Sequence, residues 1–201
     1  MQVTTSDEIS PREYLRNTAF SEDQATAKYP NARGYALGGL FISHSGLDTK
    51  RILNEIVLPV IFGRLPADGY FMHSRSSGGA ESYKGLVQAA LHWCDKFMVV
   101  ISKASTHNAW VQAEVEWALE RSRPILSVCI DDYRWHDLVQ VLELSPGMRR
   151  HSSIQHFNFS GDLAPAQNQF TAALDELIKQ SPRAYAGPDT MDPRGVKEGG
   201  P

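Results

Sequence analysis

FMVVIS (97–102) and ILSVCI (125–130) carry apolar residues almost without a break. Neither alternates with polar residues, so neither suits a strand with one wet face. Continuous runs of this length fit strands buried on both faces of a sheet. Between them lies NAWVQAEVEWALE (108–120), whose apolar positions recur at helical spacing. The alternation continues in both directions. LFIS (40–43), GYFMH (69–73) and IQHFNF (154–159) read as further strands. DTKRILNEIV (48–57), YKGLVQAALHW (83–93) and QFTAALDELIKQ (169–180) read as helices, and DYRWHDLVQVL (132–142) holds one short helix. Pro59 is expected to kink or end the helix before it. SRSSGGAES (74–82) is a loop by composition, and STHN (105–108) supplies capping residues. The order βαβαβαβαβα predicts an α/β fold, a parallel sheet with helices on both faces.

The periodic part of the 201-residue chain is expected to form one domain over residues 37–180. Residues 1–36 form a polar N-terminal extension in which Ser10-Pro11 is placed to start a short helix over 11–18. Residues 181–201 are rich in Gly and Pro and are expected to be disordered. Hydrophobic content of 42% and charged content of 21% are ordinary for a soluble globular protein. The net charge of −3 comes with no basic block, so neither nucleic acid nor an anionic membrane is expected as a partner. No apolar run reaches the ~20 residues of a membrane span, and the N-terminus does not read as a signal peptide. Cys94 and Cys129 read as buried free thiols, which suits a cytoplasmic protein. The seven histidines are scattered, and no metal site is expected.

One carboxylate is out of place in this scheme. With about 100° per residue, Glu114 falls only about 40° from Trp110, inside the apolar arc of its helix. Gln112, Glu116 and Glu120 fall on the opposite side and read as a wet face. From the helix alone, Glu114 is a side chain snorkelling from the edge of the core or pairing with Arg121. Trp117 reads as core, whereas Trp110 is expected to line a site.

The carboxyl ends of the strands, where α/β sheets place their ligands, are polar. They carry Ser43-His44-Ser45, His73-Ser74-Arg75, Ser102 and Asp131-Asp132. Strand ends also meet water, which accounts for any one of these residues. Arg75 fits a phosphate contact or a solvated loop equally. Several chemistries lack their motifs: GxxxxGK[ST] for nucleoside phosphates, GxGxxG for dinucleotides and GxSxG for a serine nucleophile are all absent. A receiver domain ends its third strand in a phosphorylated aspartate, and here that position is Ser102.

FISHSGLDT (41–49) resembles the first strand and loop of a TIR (Toll/interleukin-1 receptor) domain. The resemblance continues through GYFMHSRSSGGAES, the second strand and BB loop, and through LVQAALHWCDKFMVVIS. AWVQAEVEWAL is similar to the W-x-x-x-E helix of TIR domains that cleave NAD. The resemblance covers about residues 38–180 and implies a flavodoxin-like five-stranded parallel sheet. This chain departs from the family pattern at His73, where Asp is common, and at Gly78-Gly79-Ala80, where an acidic BB loop is usual.

The resemblance implies two careers. Some TIR domains recruit other TIR domains, and others break the nicotinamide–ribose bond of NAD+, giving ADP-ribose or a cyclic isomer. In the enzymes the catalytic residue is the glutamate of W-x-x-x-E, which here is Glu114. Trp110, Ser43, His44, Ser45, His73 and Ser74 are then the substrate-binding residues. NAD+ is the substrate, and no cofactor is needed. TIR-only enzymes of bacterial anti-phage systems such as Thoeris make a product that activates a separate effector protein. The family also implies a homo-oligomer through TIR–TIR contacts. The alternative is a non-catalytic interaction module or host-directed effector. A third reading is a nucleoside deoxyribosyltransferase-like enzyme, which has a related fold and a glutamate but acts on nucleosides.

Overall fold

The computed structural model describes residues 9–17, 39–48, 54, 57–66, 69–72, 80–144, 154–158 and 163–180. Five strands, β1 (Leu40–Ser43), β2 (Tyr70–Met72), β3 (Lys96–Ile101), β4 (Ile125–Cys129) and β5 (Ile154–Asn158), form one sheet in the order β2-β1-β3-β4-β5. Every pairing is parallel. The sheet is the flavodoxin-like one expected, with its order reversing between β1 and β3, where such sheets bind their ligands.

Around it lie helices α1 (Pro11–Asn17), α2 (Leu58–Arg64), α3 (Ala80–Trp93), α4 (Lys103–Thr106), α5 (Ala109–Glu120), α6 (Trp135–Val141) and α7 (Leu163–Lys179). Alternate residues of each strand point to opposite faces. Phe41, Phe97, Val99, Ile101 and Ile125 face one core, shared with Leu15 of α1, α3, α5 and Leu138 of α6. Leu40, Ile42, Met98, Val100, Leu126 and Val128 face the other, closed by α2 and α7. Phe41 stacks between Phe71 and Phe97, with centroids 5.3 and 5.4 Å away. Three neighbouring strands are thereby pinned in register. Gly69, just before β2, packs against Pro66, and an added Cβ would lie 2.9 Å from the proline ring.

Three boundaries differ from the sequence expectation. The helix does not end at Pro59: Val57 already has helical backbone, and α2 runs on through Pro59 to Arg64. Most of the preceding stretch, 49–53 and 55–56, lies outside the described residues. Helix α3 begins at Ala80, inside the stretch read as loop. Helix α7 begins at Leu163, six residues before its amphipathic pattern becomes clear.

The largest correction concerns α5. Glu116, read as part of a wet face, is 2% exposed. Helix α1 covers it, started as expected by Ser10, whose Oγ accepts from Glu13 N at 3.2 Å. Arg12 Nε donates to both carboxylate oxygens of Glu116, at 3.1 and 2.9 Å. Glu116 also accepts from Glu143 N at 2.7 Å. A helix's periodicity gives the angle of each residue but not what a distant segment lays over it, and Arg12 lies 104 residues away. The rest of the N-terminal segment and the tail 181–201 lie outside the described residues.

Candidate functional site at the carboxyl edge of the sheet

Ser43 is the last residue of β1, paired with Val99 of β3 and 1% exposed. It shares the face of Phe41, and its hydroxyl points at α5. That helix is capped by Asn108, whose side chain accepts from the N–H groups of Trp110 and Val111. One turn in, Glu114 meets the serine: Ser43 Oγ donates to Glu114 Oε2 at 2.6 Å. Glu114 is 6% exposed. Burial pushes its carboxyl up to about 8, and the serine hydrogen bond pulls it back only in part. Pairing with Arg121 does not occur. That guanidinium lies over the Trp117 ring, 4.2 Å from its centroid. Trp117 is core, as expected, at 3% exposure.

Trp110 is half-buried one turn before Glu114. Its ring meets Tyr14 of α1 edge-to-face, with centroids 6.1 Å apart. His44 is half-buried and Ser45 buried, both in the loop leaving β1. Ser43 and Glu114 therefore meet at the β1/β3 switch point, with His44 and Ser45 next along the loop from β1 and Trp110 one turn before Glu114 on α5. His73 and Ser74 lie outside the described residues.

Asp48 belongs to the same edge and was not singled out from the sequence. Its Oδ1 accepts from Ser102 Oγ at 2.7 Å, and its Oδ2 accepts from Ser45 N at 3.2 Å. Burial raises its carboxyl above the usual range, against the pull of those two bonds. The result is a crossed pair. The serine ending β1 holds the carboxyl that follows β3, and the serine just after β3 holds the carboxyl that follows β1. A signal existed in Ser45-Gly46-Leu47-Asp48, the [ST]-x-x-[DE] spacing in which an acidic side chain reaches back to the first N–H.

Other polar strand ends serve the backbone. Ser102 and Ser105 form a reciprocal cap on α4. Asp131 accepts from Lys103 N at 2.9 Å and Tyr133 N at 2.8 Å. Among the described residues no three His, Cys, Asp or Glu side chains gather as a metal site requires. Cys94 and Cys129 are buried free thiols. No helix among the described residues is long and apolar enough to cross a membrane.

No curated protein matches the chain. The family model for the TIR domain matches residues 40–178, a span that begins at β1, ends within α7 and includes every described member of the site. The chain belongs to the TIR domain family.

Proposed function

We propose that this TIR domain cleaves the nicotinamide–ribose bond of NAD+ with Glu114 as its catalytic carboxylate. The observation that carries the reading is a buried carboxyl at the switch point whose hydrogen-bond partner is a neutral serine. Glycosidases commonly use two carboxyl groups because one must protonate the leaving group. Nicotinamide in NAD+ is already cationic at its ring nitrogen. When the C1′–N bond breaks, that nitrogen takes the electron pair and nicotinamide leaves neutral. The charge left on the ribose is oxocarbenium-like, and one nearby carboxylate stabilises it. Water, or a hydroxyl of the same molecule, then attacks C1′, and Glu114 takes the proton released.

A carboxyl titrating near 8 is largely protonated in the free protein at neutral pH. The positively charged nicotinamide ring, placed beside Glu114, favours its ionised form. Binding of NAD+ is thus coupled to proton release, and the ionised glutamate forms where the ribose arrives. Trp110 walls the site, and Ser43, His44, Ser45, His73 and Ser74 hold ribose and phosphate. The product, ADP-ribose or a cyclic isomer, acts as a cytoplasmic signal to a separate effector in anti-phage defence, and the enzyme works as a homo-oligomer.

The test is nicotinamide release from NAD+ by purified protein, beside Glu114→Gln, with the second product identified by mass spectrometry. A loss of about 100-fold or more is expected of the variant, and equal release by both proteins sinks the assignment. One observation favours the non-catalytic alternative: at 6% exposure Glu114 is nearly closed to a ligand. That alternative predicts no turnover, with partner binding that survives Glu114→Ala.

A further inference from the structure

Helix α1 lies outside the family-matched segment 40–178 but is built into the helix that carries Glu114. Its grip has a repeat of four on both sides. Arg12 reaches Gln112 Oε1 at 3.1 Å and Glu116, while Arg16 reaches Glu120 at 3.0 Å. Residues four apart share one helix face, so these hydrogen bonds and ion pairs fix the position of α1 along α5. Leu15 adds an apolar anchor, 4% exposed, in the core that also holds Val111 and Val115. With this register set, Tyr14 meets Trp110, and Lys84 of α3 lies 5.9 Å from the centre of the tyrosine ring. Tyr14 thus fills the space between α3 and Trp110.

We infer that Tyr14 is a positioning residue of the candidate site, holding the Trp110 ring one turn from Glu114, so that α1 is part of the site's wall. The substrate side of this inference rests on the NAD+ reading above. An aromatic wall acts through its shape and stacking surface. A freed Trp110 ring therefore weakens ground-state binding more than it slows bond cleavage.

The experiment uses the full chain with Tyr14→Leu, which keeps apolar bulk and removes the ring, and Tyr14→Phe, which keeps the ring. The Trp110 share of tryptophan emission is the difference between a protein and its Trp110→Phe counterpart, and it is measured in each background. Tyr14→Leu is expected to shift that share and to raise KM for NAD+ about five-fold, with kcat within about two-fold. Tyr14→Phe is expected to restore both. A shifted emission with KM unchanged overturns the role in the site, and unchanged emission overturns the positioning itself. If the wild-type protein does not cleave NAD+, the functional reading falls, and the emission comparison alone decides whether Tyr14 holds the ring.

Discussion

Helix α5 carries two buried glutamates two residues apart, and they are opposites. Glu116 is held by a guanidinium through both carboxylate oxygens and by the backbone N–H of Glu143. Its charge is met on every side by a donor from another element. Glu114, on the other face, has only the Ser43 hydroxyl among the described residues. A buried charge is tolerated when it is paired and hydrogen-bonded, and otherwise the group takes up a proton. Burial alone therefore does not mark a functional carboxylate. The partner tells the two apart: a guanidinium makes Glu116 a charged structural tie, while a serine leaves the Glu114 carboxyl shifted towards its neutral form, and on the reading proposed above it ionises only when the substrate arrives.

The comparison breaks most directly at Glu114. Its folded carboxyl titrates near 8 against an ordinary value of 4.5. Between those values the folded state binds more protons than the unfolded one, so stability falls as pH rises through that window and is fully present below it. The loss is on the order of a few kcal/mol by pH 9. Glu114→Gln removes the titration, and urea unfolding is expected to show the variant more stable than wild type at pH 9 and similar to it at pH 4. A variant less stable at pH 9 would mean that the carboxylate is already compensated.

Arg12→Ala tests the other side. It strips Glu116 of its guanidinium partner and is expected to destabilise the protein by about 3 kcal/mol. That is the low end for breaking a buried pair, because Arg12 itself is partly exposed. Glu116→Gln combined with Arg12→Ala is expected to cost less than the sum of the two, measured as a double-mutant cycle. Additive losses would show that the pair contributes nothing as a pair.

A smaller effect is expected at Ser43, whose hydrogen bond lowers the Glu114 carboxyl. On the catalytic reading, kcat/KM for NAD+ rises with pH along a limb near 8, since the carboxylate is the working form. Ser43→Ala moves that limb upward by about half a unit to one unit. A limb that stays in place separates the serine from the titration. Smallest of all is Arg16→Ala. Arg16 is 45% exposed in its pair with Glu120, and such pairs contribute below about 1 kcal/mol. A loss as large as that of Arg12→Ala would show that α1 acts as one cooperative clamp.

The fold was legible because the inner strands are continuous apolar runs and the helices between them are periodic. The inward angle of Glu114 was legible for the same reason, and its burial follows that angle, though the helix alone pointed to a snorkelling or Arg121-paired side chain. Glu116 was not, because the wheel of one helix holds no information about an arginine 104 residues away. Asp48 was missed because, read as the first residue of a helix, it looked like an ordinary acidic start, and its bond to Ser102 joins residues 54 apart in sequence. Only the local spacing from Ser45 hinted at it.

The seating of α1 has a practical consequence for anyone dividing this protein into parts. The family-matched segment begins at residue 40, and that is the natural place to cut. A fragment cut there keeps every strand but loses Arg12, Tyr14, Leu15 and Arg16 together. Its α5 would present a naked carboxylate beside the socket vacated by Leu15, an apolar hollow open to water. Such a surface invites self-association, and an inactive, sticky fragment would report on the missing helix rather than on the chemistry of Glu114.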